Sequence, residues 1–278
     1  MPFHSCSQPE YPYICLTIVD YELLIIMIRS VFQDEEIPYG VLNRFGLSQE
    51  MIEDLPQNVL SGIRDGRRSP VLPICYTCDD GAKVYDRARF ALFRDEESGN
   101  VKVMFYPRQT RLTLDMFTDA QQALLREGKT IIGTATTGDG RDVQAFVQLD
   151  PDTGQVLTVP TPVIGNNLQV LADHFQLSSA ELTCLKNGEP LTIVEDEEEV
   201  TFGIDLNDAK GFRHAMGNSQ KWKEQAAQAM DTYTFGIFGC WVKDDNGNLD
   251  YVPEDEYTDA MWEAQKRLGL SRASAHKM

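Results

Sequence analysis

The stretch 117–128, FTDAQQALLREG, holds the start, the buried face and the end of one helix. Thr118 with Gln121 three residues on is a capping box, in which the hydroxyl takes one orphan amide and the Gln side chain returns to the cap. Phe117 and Leu125 fall on one helical face. Gly128 closes the helix because the residue after a helix often needs positive φ. The same layout recurs at 177–188, LSSAELTCLKNG, with Ser178 and Glu181 as the box and Leu177 and Leu185 as the face. It recurs at 55–66, LPQNVLSGIRDG, where Pro56 starts the helix instead. The closing glycines Gly66, Gly128 and Gly188 lie 62 and 60 residues apart.

Each glycine is followed by apolar runs separated by polar turns, the hairpin signal. The first unit predicts strands at 71–76, 87–93 and 101–106, and the second at 130–134, 143–149 and 156–159. The third predicts strands at 191–194 and 200–206, with Gly211-Phe212 where a third strand is due. The expected fold is α+β, with three repeated helix–Gly–antiparallel β-meander units and a C-terminal helix–hairpin–helix segment. The period of about 60 exceeds the common solenoid repeats. It reads as an ancestral duplication inside a packed protein.

Outside the units, Pro38 suits the first turn of a short helix ended by Gly46, and Ser48 starts another. Pro160-Thr161-Pro162 reads as a break, with a helix from Asn166 or Asn167 carrying Leu168, Leu171 and Phe175. Asn218 or Ser219 caps a helix bearing Trp222, Ala226 and Met230. A hairpin over 234–252 turns at 244–248, and a last helix runs from Glu254 or Thr258 to Leu268. The expected division is an extension at 1–30, a first unit at 31–112, the second and third units at 113–216, and the C-terminal segment at 217–278. Residues 1–26 show no clear period, and Met27 is an alternative natural start. Residues 270–278 read as a polar tail.

The formal net charge is −18. Residues 1–115 carry 12 Lys/Arg against 17 Asp/Glu, and the remainder 13 against 26, so the acidity lies mainly in the C-terminal part. Such a surface repels nucleic acid and anionic membrane over about a Debye length, ~8–10 Å. It favours basic partners or solubility. Six cysteines without framework spacing fit a reducing compartment. The apolar stretch 15–28 is interrupted by Asp20 and Glu22, is too short to span a bilayer, and follows no basic n-region. A cytoplasmic protein is expected.

The sequence offers little chemistry. Cys75-Tyr-Thr-Cys78 lacks a second ligand pair and sits in a strand pattern, where residues three apart face opposite ways. Of the histidines His4, His174, His214 and His276, only His214, beside Arg213, is a general-base candidate. No Walker A loop, GxGxxG or nucleophile elbow is present. Gly236-Ile-Phe-Gly239 reads as close strand packing. The segment 244–250 fails the calcium-loop template and reads as a hairpin turn. The run 195–199 reads as a solvated hairpin tip. No catalytic, cofactor or metal residue is assigned, and no cofactor is expected. Arg64, Arg67, Arg68, Arg87, Arg89 and Arg94 hold a phosphate or acidic partner if they share a face. The alternative is surface salt bridging with the interleaved Asp65, Asp79, Asp80 and Asp86.

Five strings are distinctive together: IPYGVLNRFG at 37–46, GRRSPVLP at 66–73, VPTPVIG at 159–165, NGEPLT at 187–192, and GCWV with LDYVP at 239–253. They resemble the uncharacterised domains of unknown function in proteins of Bacteroidetes conjugative transposons, over roughly residues 30–265. That resemblance implies a cytoplasmic protein of a mobile element and supplies no activity. The expected function is a non-enzymatic protein-interaction module, with Arg67, Arg68, Tyr106, Trp241 and Tyr251 as partner-contact candidates. One alternative is an acidic DNA-mimic decoy of a host defence or DNA-processing enzyme, and another is an accessory DNA-transfer or DNA-processing protein. Direct nucleic-acid binding and membrane association are not expected.

Overall fold

The computed structural model describes residues 31–269 apart from 79, 96, 137–140, 196 and 228–229. The alternative start at Met27, His4, His276, Cys6, Cys15, Asp79, the turn at 138–140 and the tail fall outside the described residues. The fold mixes helices with antiparallel sheets. Among the described residues the strands form four separate three-stranded meanders, each in sequential order.

The first part begins with α1 (Tyr39–Arg44), α2 (Gln49–Glu53) and α3 (Gln57–Arg64). Gly66 follows α3 at φ +85°. Its sheet is β1 (Leu72–Thr77), β2 (Lys83–Arg94) and β3 (Val101–Pro107). The next helix, α4 (Asp119–Arg126), has its capping box formed by Thr118 and Gln121, and Gly128 follows at φ +74°. It leads to β4 (Ile131–Thr136), β5 (Asp142–Leu149) and β6 (Val156–Pro160).

Helix α5 (Thr161–His174) starts directly at the expected break. Pro162 lies in its first turn, where no amide partner is needed, so proline begins the helix there. Then come α6 (Ser179–Lys186), capped by Ser178 with Glu181, and β7 (Leu191–Glu195), β8 (Glu198–Ile204) and β9 (Phe212–Met216).

The C-terminal segment differs from helix–hairpin–helix. Helix α7 (Ser219–Ala227) is followed by three strands, β10 (Tyr233–Phe235), β11 (Gly239–Lys243) and β12 (Leu249–Pro253), and then α8 (Asp259–Arg267). The run expected as one strand at 234–242 folds back on itself. Gly236 N–H donates to Gly239 C=O at 2.8 Å, and Phe235 pairs with Cys240. Gly236–Gly239 is therefore a hairpin turn, and Gly239 also makes the expected close approach to the neighbouring strand.

Burial follows the two-residue period of the strands. Phe146 and Leu157 turn one face of the second sheet to Ile164, Leu168, Leu185 and Phe202. Val147 and Ile131 turn the other to Leu114 and Leu125. Gln148 ties this sheet to the third: its Nε2 donates to Ile204 C=O and its Oε1 accepts from Leu206 N–H. The first sheet shares its core with the far end of the chain. Leu42, Ile52, Leu72 and Phe90 pack in one cluster with Met230, Trp241 and Leu249. Met230 is thus a core residue of the first part, and not the last face position of α7.

Candidate functional site

Strand alternation points Ala88, Phe90 and Leu92 into the first core. Arg87 and Arg89 then share the opposite face. They do not form an anion site, because each guanidinium already has acidic partners in another part of the chain. Arg87 donates to Asp250 and to Leu249 C=O, both at 2.7 Å. Arg89 holds Asp150 at 2.8 Å, pairs with Asp152, and donates to Ser69 C=O. Arg67 reaches Asp208 at 3.3 Å and Asp205 at 3.5 Å, and Arg213 holds Asp205 from the other side at 3.1 Å. Arg64 pairs with Asp34, and Arg94 with Glu36. The salt-bridged reading stands, but with different acids: Arg67, Arg87 and Arg89 pair with distant parts of the chain, while Arg64, Arg94 and Arg213 pair within their own part.

The electrostatics of this junction follow from burial. Burial alone raises the pKa of Asp150, but the charge and hydrogen bonds of Arg89, with Thr153, outweigh it and hold the carboxyl below its usual value. Burial raises Asp208 against the pull of Arg67. Arg68 lies with its guanidinium 3.6 Å from the centre of the Tyr106 ring, a stacked cation–π contact. Burial lowers its pKa.

The other two candidates lie elsewhere. Trp241 is fully buried, and its indole N–H donates to Met51 C=O at 2.9 Å. That corrects its assignment as a contact residue. Tyr251 is half-buried, meets Trp241 edge-on, and donates its hydroxyl to Asp54 at 2.6 Å.

Asp54 was not legible as a site residue. It ends α2, is 3% exposed, and accepts the backbone N–H groups of Ile237, Phe238 and Gly239 along with the Tyr251 hydroxyl. Burial and this hydrogen bond push the Tyr251 phenol well above its ordinary pKa. One carboxylate thus grips the whole hairpin turn. Ile237 and Phe238 meanwhile turn their side chains outward, 69% and 43% exposed. The sequence signal was the glycine pair. A Cβ on Gly236 would lie 2.0 Å from the Asp54 Cγ, and one on Gly239 would lie 2.6 Å from Val252 O. Gly236→Ala is therefore expected to lower stability by about 1–3 kcal/mol, as overpacking does. Gly165→Ala, inside α5 with nothing near its added methyl, should be neutral or stabilising by about 0.5–1 kcal/mol. Urea midpoints of the two variants test this; equal midpoints would mean Asp54 moves aside freely.

Two concavities are lined by described residues. One of about 330 Å³ is lined by Asp34, Glu35, Tyr39, Gln49 and Glu53. The other, about 450 Å³, is lined by Met116, Phe117, Gln121, Ile132, Gly133, Thr134 and Gln144.

The remaining sequence candidates are ordinary in their settings. Cys75 and Cys78 are half-buried at the end of β1. Burial pushes the Cys240 thiol up to about 12. His214 keeps one side open to solvent beside Phe202, and partial burial of its ring, with the charge of Lys210, lowers its pKa. Asp244 accepts from the amides of Asn246 and Asn248, which makes 244–248 a tight turn. Among the described residues no His, Cys, Asp or Glu group is arranged to hold a metal ion, and no helix is long and apolar enough to cross a membrane.

A family model described as a protein of unknown function (DUF4099) matches residues 32–116. No curated protein and no solved structure matches the chain. The matched segment runs from α1 through β3. It contains Asp54, Arg67, Arg68 and Tyr106, but neither the hairpin turn that Asp54 grips nor the Trp241 that completes its core.

Proposed function

We propose that this protein is a non-enzymatic interaction module that binds another protein, acting in the cytoplasm as a component of a mobile element. The observation that carries the reading is the Asp54 clamp: a buried carboxylate fixes a turn whose Ile237 and Phe238 face solvent. Rigid display of apolar side chains lowers the ordering cost of association. The concavity beside α4 supports binding over catalysis, because its lining carries apolar, amide and hydroxyl groups and no ionisable one. Arg67, Arg87 and Arg89 are engaged internally by Asp208, Asp250 and Asp150, so these three guanidinium groups are not free to hold an anion. We read the helix–glycine–meander units as scaffold derived by duplication. The decoy and DNA-transfer readings draw on net charge and family resemblance alone.

The reading is tested with immobilised full-length protein and extract of its native host. One discrete protein should be retained at a fixed stoichiometry, and retention should fall for Ile237→Ser/Phe238→Ser. Retention of nothing specific, or equal retention by the variant, would count against it.

A further inference from the structure

The apolar turn and the smaller concavity both adjoin the C-terminal end of one short helix, α2. Glu53 lines the concavity, and the next residue, Asp54, grips the turn with its carboxylate 2.7 Å from the Gly239 nitrogen. Successive Cα atoms are about 3.8 Å apart, so the concavity and the turn lie close enough for one short peptide to reach both. Its charge is lopsided. Asp34, Glu35 and Glu53 face the concavity around the half-buried Tyr39 ring, with Arg64 pairing only Asp34. Beyond the turn, the N–H of Glu254 donates to Phe238 C=O, which seats Glu254 beside the apolar tip at the start of a short helical turn that carries Asp255 and Glu256. Residues 231–263 hold nine Asp/Glu and one Lys. Exposed apolar side chains are thus bracketed by carboxylates on both sides.

Resting on the binding-module reading above, we propose that this surface docks a basic, amphipathic segment of a partner protein. One Lys or Arg of that segment enters the concavity, and an apolar side chain packs on Ile237 and Phe238. A cation between carboxylates and a tyrosine ring gains from both charge and the ring face. The apolar pair supplies a contact that charge alone does not. An acidic segment would meet repulsion at every edge of the tip.

The full-length protein tests this with labelled twelve-residue peptides followed by fluorescence anisotropy. A peptide alternating Lys and Leu should bind saturably, and an all-Lys peptide of the same length about tenfold more weakly. Ile237→Ser/Phe238→Ser should weaken the Lys/Leu peptide about tenfold, about 1.4 kcal/mol, and leave the all-Lys peptide unchanged. Glu35→Gln/Glu53→Gln should weaken both peptides. Glu197→Gln/Glu198→Gln/Glu199→Gln, at the tip of the remote β7–β8 hairpin, should weaken neither. All these side chains are exposed, and unchanged urea midpoints confirm that folding is intact. Equal binding of the two peptides, or equal loss in the remote triple variant, would overturn the proposal by reducing the effect to bulk charge. If the Lys/Leu peptide fails to bind while the host partner is still retained, the partner chemistry is wrong and the interaction-module reading survives.

Discussion

A fragment limited to residues 32–116, the segment matched by the family model, is expected to show no cooperative unfolding transition. Its core lacks three buried side chains supplied from far along the chain: Met230 (6% exposed), Trp241 (0%) and Leu249 (4%). Burial of an apolar side chain of this size contributes about 1.5–3 kcal/mol. Their joint loss is comparable with the whole net stability of a typical domain, about 5–15 kcal/mol. The fragment also removes the turn gripped by Asp54 and the Arg87 partners Leu249 and Asp250. Residues 31–112 joined through a Gly/Ser linker to 230–269 restore each of these contacts and should melt sigmoidally. Urea titration with amide hydrogen exchange distinguishes the two chains. A sharp transition in the shorter fragment would mean that the remote strands cover the first core without completing it.

Arg89→Met is the second large expected effect, at about 3–5 kcal/mol of stability lost near pH 7. The Asp150 side chain has no exposure and that of Arg89 only 12%, so removal of the guanidinium leaves a buried charge without its partner. Asp150→Asn in the same background should recover part of the loss, since it removes the orphaned charge. The effect should also depend on pH. Asp150 in the folded protein titrates below its ordinary value of 3.8. The stability it contributes is present above that value and is lost as pH falls through the depressed one. Without Arg89, burial raises the Asp150 pKa above its unfolded value, so the variant is penalised at pH 7 and regains stability as pH falls through that raised value. The gap between the proteins should therefore narrow as pH falls from 7 to 3, which urea midpoints at the two pH values will show. A gap that stays constant would place the cost in packing and not in charge.

Local features were readable because their causes lie within a few residues. Thr118 and Gln121, or Ser178 and Glu181, are neighbours on one turn, so both capping boxes and the glycines after them could be read directly. Alternation placed Arg87 and Arg89 on one face, but nothing near them indicated that Asp250 and Asp150 complete them. Asp54 was harder still. Three of its partners are backbone amides, which every residue but proline carries, so only Gly236 and Gly239 marked the approach. Proline misled at 160–162, where the same residue type both ends strands and opens helices. Trp241 looked like a contact residue because burial depends on a sheet face fixed by α2, nearly two hundred residues earlier.

The grip of Asp54 on its turn also sets an order of events at the ribosome. Ile237 follows Asp54 by 183 residues. At about 5–20 residues per second the carboxylate waits roughly 9–37 s for its partners to be synthesised. Through that interval Leu72, Ile74 and Phe90 belong to a core without its lid, so the front of the protein is made first and closed among the last. A stop codon anywhere before Met230 thus disables the front of the protein as surely as one near its beginning.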